Sequence, residues 1–372
     1  MLDEWSLKLM KKFWFFSLFV IVFLVFSTLQ SCEKEADQTN KINKRLLALG
    51  HQKLSDYGFF EGDLADLNPI KGVIPYDLNT PLFSDYAYKS RFIQVPDGKT
   101  AAYNETDVLV FPVGTHIIKT FYFPNDFRDE SQGRRLLETR ILIHKKTGWK
   151  SLPYIWNNAQ TNAFLEITGG TKTVHWIHSD GAKRTTQYSI PTMVQCKSCH
   201  IRNETLLPIG PTIRQLNREF DYAGGRKNQL VKFTEEGILD GLPPLAGVPK
   251  SPVWNDPATG SLHKRAMAYL DINCGHCHNP NGPGNTSALV LTMNETEPVN
   301  WGVFKKPVAA GRGSGGRSYS IVPGKPDESI LLFRMESTDP GIMMPEVGRK
   351  LMHREGVALI KEWIAKMEQN TL

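Results

Sequence analysis

The sequence predicts an α+β fold with two unlike halves, an antiparallel β-rich N-terminal domain and an all-α C-terminal domain, joined by a bridging segment. Three observations predict it. Apolar runs separated by turn residues fill residues 75–190. Seven prolines interrupt residues 201–260, and from residue 261 onward apolar residues recur at helical spacing. A chain of 372 residues with 41% hydrophobic composition is long enough to bury two or three cores.

The β-rich half is predicted from short apolar or alternating runs bounded by turn-forming residues. The predicted strands cover residues 91–95, 108–111, 116–123 and 136–144. The turns between and beside them contain Pro, Gly, Asn and Asp, which favour chain reversal, at residues 96–98, 112–114, 124–126 and 147–148. Reversals at this spacing indicate antiparallel strands.

The later part of the chain is predicted to be helical in places. Within the proline-interrupted segment 201–260, helix-like pieces lie near residues 213–220 and 229–236. A helix is predicted from residue 261 to 272, a shorter one over 327–335, and an amphipathic one over 353–367. The bridging segment therefore separates a β-rich part from a helical part.

The N-terminus has the pattern of an export signal. Residues 13–29 are almost wholly apolar, follow Lys11 and Lys12, and end in Leu-Gln-Ser-Cys at residues 29–32. The apolar run of about 17 residues is short for a membrane span. The ending resembles a bacterial lipobox, which implies a signal peptide over residues 1–31, lipidation of Cys32 and a tether over 32–50. We expect a bacterial cell-envelope protein, lipid-anchored to a membrane and facing the periplasm or the cell surface. A free or buried thiol at Cys32 is the alternative.

The other four cysteines fall in two copies of one pattern. Residues 196–200 read Cys-Lys-Ser-Cys-His, and residues 274–278 read Cys-Gly-His-Cys-His. Cys-x-x-Cys-His is the attachment motif of c-type haem, in which the thiols bond the porphyrin and the histidine ligates the iron. The two copies predict two covalently bound haem c groups, one on Cys196, Cys199 and His200 and one on Cys274, Cys277 and His278.

Two other chemistries compete for these cysteines. A zinc ion bound by four thiols is the first, but zinc does not require a histidine after the second cysteine of each pair. Two disulfides are the second, but cysteines three apart on one helical turn would close a short, strained ring. His276, inside the second motif, is expected to face solvent or the loop rather than the iron.

The C-terminal order of elements carries a resemblance. A helix with the motif, a loop, a short helix, a Met-Pro element and a terminal helix resemble a class I cytochrome c fold across residues 261–372. The resemblance implies a methionine as the sixth iron ligand, taken from the stretch before the last helix. Met344 matches that position, with Met343 next, although core packing is the usual role of methionine.

A wider resemblance rests on four phrases, at residues 75–86, 111–115, 311–317 and 340–345. They resemble a family of exported bacterial diheme c-type cytochromes, often described as conserved hypothetical proteins, over most of residues 50–368. The strand pattern, the prolines and the class I resemblance together predict a β-rich domain over 51–200 that ends in the first haem site, the bridging segment 201–260 and the cytochrome c domain 261–372. The wider resemblance implies an exported diheme cytochrome. It supplies no substrate.

The leading functional expectation is electron transfer between redox protein partners, which needs no catalytic residue. The alternative is a diheme enzyme, a peroxidase or an oxidoreductase of small nitrogen compounds. For that alternative, Phe-Pro-Val-Gly-Thr at 111–115 and the later Gly-Trp turn resemble β-sheet cytochromes c-prime and their hydroxylamine-oxidising relatives, which implies an open first haem. A haem-based sensor is the third class, although nothing resembles an output domain.

Two further points bound these expectations. The sequence leaves the sixth ligand of the first haem undecided among Met193, His175, His178 and Met267, and it favours an exposed position for the strand residue Lys119. The net charge of +6 comes without a basic run interleaved with aromatic residues. We therefore expect no nucleic-acid partner.

Overall fold

The structure, a computed structural model, describes Trp5, Trp14 and residues 49–368. The described residues from Lys53 onward form one compact unit. The expected signal peptide, Cys32 and most of the tether lie outside the described residues. In the part of the chain that is described, we find no helix with the length and apolar character needed to cross a membrane.

A six-stranded antiparallel sheet forms the centre of this unit, in the order β3-β4-β6-β7-β8-β9. Its two central strands, His116–Pro124 and Arg134–Lys145, contain runs of consecutive buried residues. Because successive side chains point to opposite faces, the sheet is covered on both faces there. The predicted strand at 108–111 is wrong, since this run makes only isolated bridges through Val108 and Val110. The six strands are β3 (Val73–Tyr76), β4 (Tyr88–Gln94), β6 (His116–Pro124), β7 (Arg134–Lys145), β8 (Gly148–Trp156) and β9 (Ala163–Leu165).

The remaining strands form two-stranded pairs around this sheet. Four pairs are antiparallel hairpins, and one, between β5 and β16, is parallel. The hairpins are β1 (Phe60–Glu61) with β2 (Asn68–Pro69), β10 (Gly170–Ile177) with β11 (Lys183–Ile190), β12 (Ile201–Arg202) with β13 (Thr205–Leu206), and β14 (Glu219–Tyr222) with β15 (Gly225–Asn228); the parallel pair is β5 (Ala101–Ala102) with β16 (Leu239–Asp240).

Within residues 50–368 the α-helices are short and begin only after the sheet is complete. The predicted helices near 229–236, 261–272 and 353–367 are present with slightly different ends. The described helices are α1 (Met193–His200), α2 (Ile213–Leu216), α3 (Gln229–Glu235), α4 (Leu262–Leu270), α5 (Pro298–Trp301), α6 (Ile330–Glu336) and α7 (Arg354–Ala365).

The β-rich N-terminal part of the predicted fold agrees with the six-stranded sheet, but the predicted all-α class I cytochrome c domain over residues 261–372 is wrong. Between α4 and α6 the chain runs mainly through loops, turns and 3-10 turns, with isolated β-bridges at Val303–Ile321 and Tyr319–Ser329. The physical reason is composition, because residues 280–284 read Pro-Asn-Gly-Pro-Gly and a glycine-rich run follows at 311–316. Such residues end helices, and the amphipathic pattern of α4 and α7 does not extend across them.

One apolar core joins the sheet to the later part of the chain. Sheet residues Ile93 and Ile117 pack in the same buried cluster as Ile213 and Phe233 from segment 201–260. Ile272, two residues before the second Cys-x-x-Cys-His motif, belongs to this cluster as well. A separate apolar cluster holds α4, α6 and α7 together. The second motif therefore lies where the sheet region and the C-terminal region meet.

Candidate functional site

The first Cys-x-x-Cys-His motif lies on a regular helix directly after β11. Thr192 begins α1 with reciprocal hydrogen bonds, since Gln195 N–H donates to the Thr192 hydroxyl and Thr192 N–H donates to the Gln195 side chain. Cys196 is buried and Cys199 is half-buried, one turn apart. The helical-turn geometry expected for the motif is present here.

The first motif histidine is fixed by a backbone carbonyl. His200 Nδ1 lies 2.7 Å from the carbonyl oxygen of Leu207, just past the hairpin β12–β13. Because a carbonyl only accepts, Nδ1 carries the proton and Nε2 keeps a free lone pair. Burial, with a smaller contribution from the charge of Lys119, lowers the pKa of His200 to about 3. His200 is therefore a neutral imidazole, which is the form that ligates metals.

The second motif lies in a different local structure. Helix α4 runs directly into a π-helical turn over Asp271–Gly275, and Cys274 stands inside that turn. The backbone N–H groups of Cys277 and His278 then both donate to the Cys274 carbonyl, at 3.0 and 2.8 Å. The expectation that both cysteine pairs lie on one regular helical turn is therefore met only by the first motif.

Close packing holds the second motif in this shape. A Cβ added at Gly275 would lie 2.7 Å from the Leu291 carbonyl oxygen, closer than real Cβ atoms approach. The buried carboxylate of Asp271 accepts two hydrogen bonds from Arg214, at 3.0 and 2.8 Å, and one from the Met293 N–H. The turn before the motif is therefore tied to segment 201–260.

The second motif histidine is fixed by a side chain. His278 Nδ1 lies 2.9 Å from Ser287 Oγ, and the same hydroxyl donates to the Gly284 carbonyl at 2.7 Å. Since the hydroxyl has only one proton to donate, it accepts from His278, so Nδ1 carries the proton and Nε2 is free. Burial lowers the pKa of His278 to about 4, and the imidazole is neutral.

The two motifs meet. Cys199 Sγ, Cys277 Sγ and a ring nitrogen of His276 all lie within 4.8 Å of one another. A hydrogen bond from Cys277, with help from His276, lowers the pKa of the Cys199 thiol to about 4 and raises that of Cys277. None of the four motif cysteines forms a disulfide. The expectation that His276 faces solvent or the loop is wrong, because it is half-buried at this junction.

A cavity of about 550 Å³ opens beside the junction. The sheet and the C-terminal loop that contains Met343 and Met344 both contribute to its wall. Both motifs reach it. The lining residues that the argument uses are Cys196, Cys199, His200, Cys274, Lys119 and Met344. The expected exposed position of Lys119 is wrong, since it is half-buried and faces this cavity.

The methionine loop is held by one arginine. The buried guanidinium of Arg349 donates to the carbonyl oxygens of Met344, Arg334 and Ser337, at 2.8, 3.1 and 2.9 Å. Met343 is buried and Met344 is half-buried. With the class I cytochrome c fold absent, the prediction for Met344 rests on its position in the wall of a cavity that Cys274 also lines, rather than on fold resemblance.

The four residues considered as the sixth ligand of the first haem iron lie away from the cavity beside His200. His175 bonds the Thr185 hydroxyl on the hairpin β10–β11, and buried His178 accepts from Trp176. Met267 is buried in the C-terminal core. Among the described residues, none of these, nor Met193, lines the cavity that His200 lines.

The donor set fits c-type haem. Each motif combines two free thiols with a neutral histidine whose Nε2 is unused, and the first motif faces a cavity of several hundred cubic ångströms. The cluster of Cys199, His276 and Cys277 has metal-ligating chemistry too, but it brings together three such groups where structural zinc sites have four. No family model, curated protein or solved structure matches this chain.

Proposed function

We propose that this chain is a diheme c-type cytochrome, exported and anchored through a lipid on Cys32, that transfers electrons between redox protein partners. The observation that carries the proposal is the state of the two motif histidines. His200 and His278 both have Nδ1 hydrogen-bonded to an acceptor, which leaves Nε2 unprotonated. A histidine held in this way is oriented and made a stronger donor for a metal.

The junction of the motifs explains why two groups would be attached to one chain. Iron in c-type haem alternates between the ferric and ferrous states and so carries one electron. Cys199 and Cys277 have their sulfur atoms within 4.8 Å, so groups attached to both cysteines would lie side by side. The chain would thereby hold two redox centres within one compact unit.

The methionine loop supplies a candidate sixth ligand for the second haem. Arg349 holds the Met344 carbonyl through two hydrogen bonds, at 3.1 and 2.8 Å, and so limits the movement of the loop. A thioether ligand raises the reduction potential, as suits an electron carrier. We propose Met344 for this role and Met343 as its alternative.

A second candidate function is favoured by the cavity. The four residues considered as the sixth ligand of the first haem iron do not line the cavity of about 550 Å³ beside His200. An open iron there would bind a small molecule, as in a peroxidase or an oxidoreductase of small nitrogen compounds. Spectra of the ferric and ferrous protein with cyanide and carbon monoxide separate the two functions, because a relay with both irons six-coordinate stays unchanged and an open site responds.

Covalent haem attachment is tested by expression of the whole chain in a bacterium that exports and matures c-type cytochromes. We expect two haems and two irons per chain after denaturation, measured by the alkaline pyridine spectrum and by elemental analysis. The double variant Cys196→Ala/Cys199→Ala and its counterpart Cys274→Ala/Cys277→Ala should each retain one haem. Ser198→Ala, which leaves both thiols and the histidine in place, is the control and should retain two.

A colourless wild-type chain would contradict the proposal. Zinc in place of iron, lost when either Cys199 or Cys277 is changed, would instead assign the junction to a metal site built from these two thiols and His276. A double variant that keeps two haems, or that loses both, would contradict the pairing of one haem with each motif.

A further inference from the structure

Three cations stand in one row across the sheet. Arg91 on β4 is directly opposite Lys119 on β6, and Lys119 is directly opposite Arg140 on β7. All three side chains line the cavity beside the first motif. Like charges directly opposite one another destabilise a sheet, so a row of three needs a compensating charge.

The protein compensates only the two ends of this row. Asp77 accepts a hydrogen bond from Arg91, and the fully buried Glu138 accepts two from Arg140, at 2.8 and 2.6 Å. Asp77 is shared with a further cation, Arg218. Asp77 therefore serves two arginines, and Glu138 serves Arg140 together with the hydroxyl of Tyr188.

The central cation has no such partner. Lys119 Nζ donates no hydrogen bond and forms no ion pair within the described residues, and its close contact is with the ring of Phe121, 5.2 Å away. Lys89 and Arg140 lie over the same ring, at 5.6 and 4.3 Å. The half-buried ammonium of Lys119 therefore lies between two guanidinium groups, and no carboxylate of the described residues pairs with it.

We propose that Arg91, Lys119 and Arg140 form a binding site for a carboxylate or another small oxyanion in the cavity. Arg91 keeps its Nε and Nη2 groups free of Asp77, and Arg140 keeps its Nη1 group free of Glu138. With the Lys119 ammonium, these groups are the donors by which proteins bind carboxylate oxygens. Burial and the two neighbouring guanidinium groups also lower the pKa of Lys119 to about 7. A bound anion would attract all three cations and so offset their mutual repulsion.

Two sources supply this chemistry. One is a propionate of a haem attached at the first motif, whose residues line the same cavity. The other is a free anion that enters the cavity. The site itself depends only on the sheet and not on haem attachment, so it goes beyond the proposed function.

The site is tested with acetate, titrated into the full chain at constant ionic strength with chloride as the balancing anion. The measurements are isothermal calorimetry and the thermal unfolding midpoint. We use both the wild-type protein and the Cys196→Ala/Cys199→Ala variant, which carries no first haem. We expect acetate to bind and stabilise at least the Cys196→Ala/Cys199→Ala variant. Lys119→Gln should weaken acetate binding at least about tenfold, because a charge-assisted hydrogen bond is lost.

Matched variants separate this effect from a general loss of charge. Lys183→Gln removes an exposed lysine from β11 and should leave acetate binding unchanged. Lys119→Arg keeps the charge and should keep binding. Lys119→Gln leaves no buried acid without a partner, so we expect it to fold at least as stably as the wild type when no acetate is present.

The two preparations also distinguish the sources. Acetate binding to the variant without the first haem but not to the wild type assigns the site to a propionate. Binding to both assigns it to a free anion. Acetate binding to neither preparation, or binding that Lys119→Gln and Lys183→Gln weaken equally, would overturn the proposal. A chain that proves colourless still gives the acetate result, so failure of haem attachment is separate.

Discussion

The two Cys-x-x-Cys-His motifs share a sequence pattern but are held by different means. The first lies on a capped α-helix, and its histidine bonds a backbone carbonyl. The second lies at a π-helical turn, and its histidine bonds the side chain of Ser287. The residue after the first cysteine is exposed Lys197 in one motif and buried Gly275 in the other. One motif is therefore supported by regular backbone structure, the other by close packing and a side chain.

The comparison teaches that a motif specifies its donor atoms and not its support. A backbone carbonyl at Leu207 is present whatever residue stands there, so point substitution cannot remove the support of His200. The second motif instead depends on residue identity, because it needs the hydroxyl of Ser287 and the absence of a side chain at Gly275. We therefore expect the second motif to be the more sensitive of the two to substitution.

The largest expected effect on stability is at the position after the first cysteine of each motif, which is Gly275 in the second motif and Lys197 in the first. In Gly275→Ala the new methyl group would lie 2.7 Å from the Leu291 carbonyl oxygen, so the turn must shift. We expect a loss of about 1–3 kcal/mol in the free energy of unfolding, typical of overpacking. Lys197→Ala, its counterpart in the first motif, should change stability by less than about 0.5 kcal/mol. Denaturant unfolding of both variants checks this, and equal losses would remove the distinction between the motifs.

The next effect concerns the histidine supports. Ser287→Ala removes the acceptor of His278 and should cost about 1 kcal/mol of stability. In the haem-loaded chain it should also raise one of the two reduction potentials, because an imidazole without this acceptor is a weaker donor to ferric iron. Leu207→Ala, which keeps the carbonyl that His200 uses, should move neither potential. A redox titration in which Ser287→Ala shifts both potentials would show that the two sites are not separately supported.

The smallest effect is a pH dependence confined to the wall beside the first motif. The pKa of Lys119 is lowered from 10.5 to about 7 by burial and by the charges of Arg140 and Arg91. Below pH 7 both folded and unfolded chains carry the charge, and the folded state bears the full repulsion. Between pH 7 and 10.5 the folded chain is neutral while the unfolded chain is still protonated, so stability recovers as pH rises.

We therefore expect haem-free Lys119→Gln to exceed the haem-free wild type in stability below pH 7, by on the order of 1 kcal/mol in buffers without carboxylates. The difference should shrink toward pH 10.5. Unfolding curves from pH 5.5 to 10 measure it, with Lys183→Gln as the matched control. A difference that grows with pH would contradict the assigned sign.

Much of the sheet was predictable because its strands have local sequence patterns. Alternation and turn residues located β4, β6 and β7 to within a few residues. The run at 108–111 has the same local pattern but finds no strand partner, which depends on distant residues. The C-terminal helices α4 and α7 were predictable from periodicity, whereas the long irregular chain between α4 and α6 overturned the all-α domain.

The candidate site divides in the same way. The candidate donor residues could be named from the sequence because the motif is contiguous. Met344 was named from the resemblance to a class I cytochrome c fold, which the structure does not have. The position of His276 beside Cys199 was not predictable, since 76 residues lie between these two in the chain and no local pattern indicates their approach. The charge row was equally hidden, because Arg91, Lys119 and Arg140 become neighbours only through strand register.

The sequence by itself determined the chemistry that this chain carries: two sets of thiols and imidazole at fixed local spacing, and the strand and helix patterns around them. Only the tertiary structure decided that the two motifs meet, that each histidine keeps Nε2 free, and that three cations line one cavity wall. The physical reason is range. Covalent spacing and periodicity act over a few residues, whereas hydrogen-bond partners, burial and charge neighbours are set by segments far apart in the chain.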